Sequence, residues 1–116
     1  VIQNDLGGMQ PEDALEYMKN TENLIIIDVA VEKWFNGIHF ENAINIPIEV
    51  LDSEQRDLRY MEIPYDKPVL LHCRRGIIVP DAYERLKELR PEIPEISYIV
   101  GAPLFEEYNS WYQSVH

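Results

Sequence analysis

The residues best placed to do chemistry are Cys73-Arg74-Arg75-Gly76, which follow the apolar run Val69-Leu70-Leu71-His72 without a break. Cys73 is the only cysteine, so no disulfide can form within the chain. A lone cysteine is most often a small buried hydrophobe. Here its neighbours argue for a nucleophile. An apolar run, a loop with a glycine and an amphipathic stretch beginning at Pro80 read as strand, loop and helix. In an open parallel sheet, ligands bind beyond the carboxyl ends of the strands, which is where Cys73 falls. Residues 73–78 are expected to wrap their N–H groups toward a common centre, with a helix N-terminus behind them. Such a nest holds anions and favours a thiolate. Two of the ten basic residues flank the cysteine, in a chain whose 21 acidic residues give a net charge of −11. That local inversion of sign suits an anionic sulfur or oxyanion substrate.

Other chemical side chains stand nearby in the sequence. Asp28 ends an apolar run; it reads first as a structural carboxylate bonded to local amides, and second as a group that orients the active-site region. His39 is expected to bond backbone near the second strand. His72 alternates with Cys73 along a strand, so its side chain points to the opposite face and reads as a buried histidine rather than a base. His39, His72 and Cys73 have no metal-ligand spacing, so no metal is expected. His72-Cys73 with Gly76 also fits the beginning of the phosphatase pattern His-Cys-x-x-Gly-x-x-Arg. The final arginine, which would clamp phosphate oxygens, is Val79, and this rules against phosphoryl transfer.

The elements that must position these residues are legible from periodicity. Pro11 with Glu12 and Asp13 marks a helix start, and Ala14, Leu15 and Met18 give that helix an apolar face to about Asn20. The β-branched run 24–29 predicts a strand buried on both faces, the mark of a parallel sheet. Residues 31–37 read as a short helix stopped at Gly37, 43–46 as a short strand stopped by Pro47, and 48–61 as a surface helix. Residues 80–90 form an amphipathic helix with Ala82, Leu86 and Leu89 inward. A strand over 96–100 and a helix over 104–112 complete the chain. Trp34, Phe35, Tyr83, Phe105, Tyr108 and Trp111 are assigned to the core, while Tyr60 and Tyr65 are candidates for a pocket rim. Alternating strands and helices predict an α/β fold, an open parallel β-sheet flanked by helices on both faces.

At 116 residues the chain reads as one domain over 9–116, preceded by a polar lead-in over 1–8 with little expectation of order. Hydrophobic and charged fractions of 46% and 27% are those of an ordinary globular protein. No apolar run approaches the roughly 18 residues of a membrane helix. The negative charge argues against nucleic acid and anionic membranes as partners. A cytoplasmic location is expected; a start at Val1 rather than Met is also compatible with a removed leader or a longer parent.

Taken in order, these motifs resemble a single-domain rhodanese, a sulfurtransferase. Pro11-Glu12-Asp13-Ala14 is similar to that family's opening helix. Ile27-Asp28-Val29, Trp34-Phe35 and the stretch from Ile38-His39-Phe40 through Ala43-Ile44-Asn45-Ile46-Pro47 resemble its Asp-Val and Gly-His-Ile-Pro-Gly-Ala-x-Asn-Ile-Pro signatures. The strand running into Cys73-Arg74-Arg75-Gly76 resembles the one that delivers its cysteine. The resemblance implies that Cys73 carries sulfur as a persulfide, taken from thiosulfate or another donor and passed to cyanide or a thiol, a protein thiol included. It implies no cofactor. Substrate binding would fall to Arg74 and Arg75 and to the loop of Gly76, Ile77 and Ile78, with Asp28 and His39 in support. The departures are specific. Family loops often end in arginine followed by a small polar residue, where this chain has Ile78 and Val79. Its two signature glycines are Ile38 and Asn42, of which only asparagine readily takes a left-handed backbone. A non-catalytic or weakly active binding module is therefore the alternative.

Overall fold

The β-branched run after Leu24 forms strand β2 (Ile25–Asp28), and the run after Pro68 forms β4 (Val69–His72), paired in parallel from Ile25↔Val69 to Asp28↔His72. The computed structural model describes residues 4–116. Across it, β1 (Asn4–Met9), β2, β3 (Ile44–Asn45), β4 and β5 (Glu95–Ile99) form one parallel sheet in the order β1-β5-β4-β2-β3. Helices α1 (Pro11–Asn20), α2 (Glu32–Gly37), α3 (Ser53–Met61), α4 (Val79–Leu89) and α5 (Phe105–Val115) alternate with the strands.

The two-residue period of the strands divides the core. Ile27, Val69, Leu71, Cys73 and Ile96 face α3 and α4, where they meet Tyr60, Ala82 and Leu86. Ile26, Leu70 and Ile99 face α1 and α5, where they meet Ala14, Met18 and Tyr108. Helices thus cover both faces, as expected. Each fully buried Ile or Leu contributes roughly 1.5–3 kcal/mol relative to exposure, so β2 and β4 are held firmly at the ends that carry Asp28 and Cys73.

Several expectations change. Residues 4–8 of the polar lead-in, with Met9, form an edge strand: β1 pairs with β5, with a register irregularity between Asp5 and Gly7, and Gly7 has a left-handed φ of 68°. Its backbone finds partners although Asp5 and Leu6 are exposed; residues 1–3 of that lead-in lie outside the described part. The helix expected over 48–61 begins only at Ser53. Asp52 caps it by accepting from the Gln55 N–H while the Gln55 side chain accepts from the Asp52 N–H, which fixes the start there. Trp34 is 58% exposed, because the short α2 buries none of its residues. Tyr83 and Tyr108 are core, and Phe35, Phe105 and Trp111 are half-buried. Among the described residues no helix is long and apolar enough to cross a membrane.

Candidate active site

The strand order makes a crevice at one place. The chain leaves β2 toward β3 on one side and leaves β4 toward β5 on the other, so the connections diverge between β2 and β4. Such a switch point opens a ligand site at the carboxyl ends of the strands. A cavity of about 590 Å³ lies there, and Cys73 lines it together with Arg74, Arg75, Ile77 and Ile78 of the loop after β4. Ala30 after β2, Trp34 and Ile38 around α2, Glu49 after β3 and Phe105 at the start of α5 complete the wall.

Cys73 is buried, and its Sγ accepts the Gly76 N–H at 3.0 Å. That contact requires the loop to turn back on itself, which Gly76 allows with a φ of 78°. A β-carbon at Gly76 would also collide with the backbone of Gly101, the first turn beyond β5, so glycine is needed there for space as well as conformation. The loop runs directly into α4, whose Pro80 and Asp81 occupy its first turn.

Arg74 lines the cavity and reaches across it to the end of β2. Its Nη2 donates to Asp28 Oδ2 at 2.6 Å and to the Ile38 carbonyl at 2.8 Å, while Cζ stacks 4.5 Å from the Phe105 ring centre. Asp28 is fully buried, and Oδ1 accepts the Ala30 N–H at 3.0 Å. Burial pushes this carboxyl above its ordinary value, opposed by the Ala30 N–H and the Arg74 charge. Asp28 thus accepts from a local amide and pairs with Arg74, the residue after Cys73. Arg75 is exposed and lines the same cavity.

His72 points to the opposite face from Cys73, as alternation requires, and is fully buried edge-on to Phe40 and Phe105. Its Nδ1 donates to the Cys73 carbonyl at 3.2 Å, which leaves Nε2 unprotonated and without a partner among the described residues. Burial lowers its pKa to about 3. His39 lies outside the cavity wall. Its Nδ1 meets the Phe35 carbonyl of α2 at 2.7 Å, not the second strand, and its ring stacks on Phe35. The His39 carbonyl accepts from Asn109 of α5, so it ties the segment after α2 to the last helix. Asn42 takes a left-handed φ of 66°, whereas Ile38 is extended at φ −155° and needs no glycine. Tyr60 is fully buried and Tyr65 is exposed; neither lines the cavity.

Sequence reasoning did not single out Ala30 or Glu49 for the site, and it placed Trp34 and Phe105 in the core. Their common signal is position, since each follows the carboxyl end of a strand.

A central parallel sheet with a cysteine-bearing loop at its switch point defines an α/β domain of the rhodanese type. The profile of the rhodanese-like domain matches residues 10–102, and the chain belongs to that family. No curated protein matches the sequence. Among solved structures, the chain is similar to the Staphylococcus saprophyticus protein SSP1007, with 12% identity, a TM-score of 0.66 and coverage of 89% of this chain and 93% of that one. A rhodanese-related protein of Thermoplasma volcanium shares 22% identity with a TM-score of 0.64, covering 92% and 91%. The single-domain sulfurtransferase RDL2 of Saccharomyces cerevisiae shares 15% identity with a TM-score of 0.57, covering 98% and 94%. At these identities the likeness is one of fold.

Proposed function

We propose that the protein is a sulfurtransferase working through a Cys73 persulfide. The observation that carries this reading is the position of Cys73 on the wall of the switch-point cavity, with the Gly76 N–H directed at its sulfur. The Cys73 thiolate attacks the outer sulfur of a sulfane donor. The bond between that sulfur and the rest of the donor breaks, and its electron pair leaves with the donor, as sulfite in the case of thiosulfate. The outer sulfur of the resulting persulfide is then attacked by cyanide or a thiolate, and Cys73 departs as a thiolate. One transfer becomes two easier ones. In the persulfide the Gly76 N–H supports negative charge on sulfur, and Arg75 at the mouth attracts an anionic donor. We propose small or protein thiols as acceptors, and the cytoplasm, where thiols stay reduced, as the setting.

A non-catalytic binding role has one observation in its favour: the Arg74 charge is already paired with Asp28. Steady-state kinetics with a sulfane donor and cyanide separate the two readings. The sulfurtransferase reading expects thiocyanate formation with parallel double-reciprocal lines, the pattern of a covalent intermediate. No thiocyanate from any donor leaves the binding role.

A further inference from the structure

The distribution of charge around Cys73 bears on which donor the cavity accepts. The sequence suggests a strongly positive loop, but in the fold most of that charge is balanced. Arg74 is paired with the buried Asp28 carboxylate at 2.6 Å. Arg75 contributes one positive charge to the wall, and Glu49 contributes one negative charge to the same wall. These four groups sum to about zero. A dianion such as thiosulfate therefore finds no net attraction there, and its two negative charges would lose water without matching cations.

The remaining wall is apolar. Trp34, Ile38 and Ile77 are exposed by 58%, 42% and 72%, and they surround the same space as Ile78 and Phe105. Exposed large apolar side chains grouped around a buried nucleophile are recognition surface rather than core. The cavity, about 590 Å³, is in the range used for organic ligands.

We propose that this site selects a sulfane donor with an apolar organic body and at most one negative charge, in preference to thiosulfate. The proposal rests on Cys73 as the sulfur-accepting nucleophile. The organic group lies against Trp34, Ile77 and Ile78, and the single charge lies toward Arg75. For an organic thiosulfonate, Cys73 thiolate takes the outer sulfur, the sulfur–sulfur bond breaks, and the sulfinate leaves with the electron pair. The charge of two reactant anions is conserved in persulfide and sulfinate.

Three donors separate the contributions: benzenethiosulfonate and methanethiosulfonate, which carry one charge and differ in apolar body, and the dianion thiosulfate. Rates of Cys73 persulfide formation are divided by each donor's rate with a small free thiol, which removes intrinsic reactivity. The expected result is a preference of about tenfold or more for the phenyl over the methyl donor. Thiosulfate should be slowest, and Trp34→Ala should shrink the phenyl preference. Trp34 is mostly exposed, so this variant should keep the fold, which circular dichroism checks. Persulfide formation at equal normalised rates with all three donors would overturn the proposal while leaving the sulfurtransferase reading intact. Absence of persulfide with every donor would overturn both.

Discussion

Arg74 and Asp28, 46 residues apart in sequence, meet at 2.6 Å across the crevice between β4 and β2. The guanidinium also bonds the Ile38 carbonyl, so one side chain ties together the loop after β4, the end of β2 and the segment after α2. Arg74 thus sits at the junction of three segments beside Cys73. Removing it leaves a fully buried carboxylate without its counter-charge, a defect that typically costs about 3–5 kcal/mol. We predict that Arg74→Leu lowers stability by about 3 kcal/mol at pH 7 in urea unfolding. The loss should shrink in acid, because protonation of Asp28 removes the uncompensated charge. A loss that is the same at pH 7 and pH 4 would mean that the charge is not its cause.

His72 predicts a second pH effect. Its folded pKa of about 3 lies below the ordinary value of 6.5, so the unfolded chain takes up a proton first as pH falls. Stability from this group is complete above about pH 6.5 and is lost progressively below it, by at most about 1.4 kcal/mol per pH unit. His72→Phe, which suits the contacts with Phe40 and Phe105, should flatten the acid limb of the stability profile relative to the wild type. Identical slopes between pH 6 and 4 would contradict burial of the neutral ring.

Gly76 and Gly101 give a contrast within one contact. Both have left-handed φ values, 78° and 90°, but a β-carbon strikes backbone only at Gly76; at Gly101 the nearest atom is Pro11 Cγ at 4.0 Å. Gly101→Ala should cost about 1–3 kcal/mol from backbone conformation alone. Gly76→Ala should cost more and also slow persulfide formation, because the N–H that reaches Cys73 must move. Equal melting temperatures for the two variants would contradict the packing.

The balanced wall predicts how added charge acts. Ile77→Arg changes an exposed position, and Ile78→Arg a half-buried one that packs on the core beside α4. A charge-assisted contact contributes about 1.5–3 kcal/mol, so either variant that stays folded should raise kcat/KM for thiosulfate by about tenfold or more. The gain should fall at high salt, where partly exposed charges are screened. An unchanged rate would mean that the donor does not meet this side of the loop.

Periodicity made the parallel sheet and its strand ends visible, and with them the place of Cys73. What escaped it depended on contacts between distant segments. β1 carries no apolar pattern; Asn4–Met9 becomes a strand because β5 offers a free edge. Trp34 sits at helical spacing, yet α2 has no layer above it to bury the ring. The Arg74–Asp28 pair was hidden for the same reason: only the fold brings together residues 46 positions apart.

Intact-mass spectrometry after exposure to a sulfane donor reads the Cys73 persulfide itself. The wild-type chain should gain the mass of one sulfur atom, cyanide should remove it as thiocyanate, and Cys73→Ser should stay folded and gain nothing. A wild-type chain that never gains sulfur, or a Cys73→Ser chain that gains it equally, would mean that Cys73 is not the sulfur carrier.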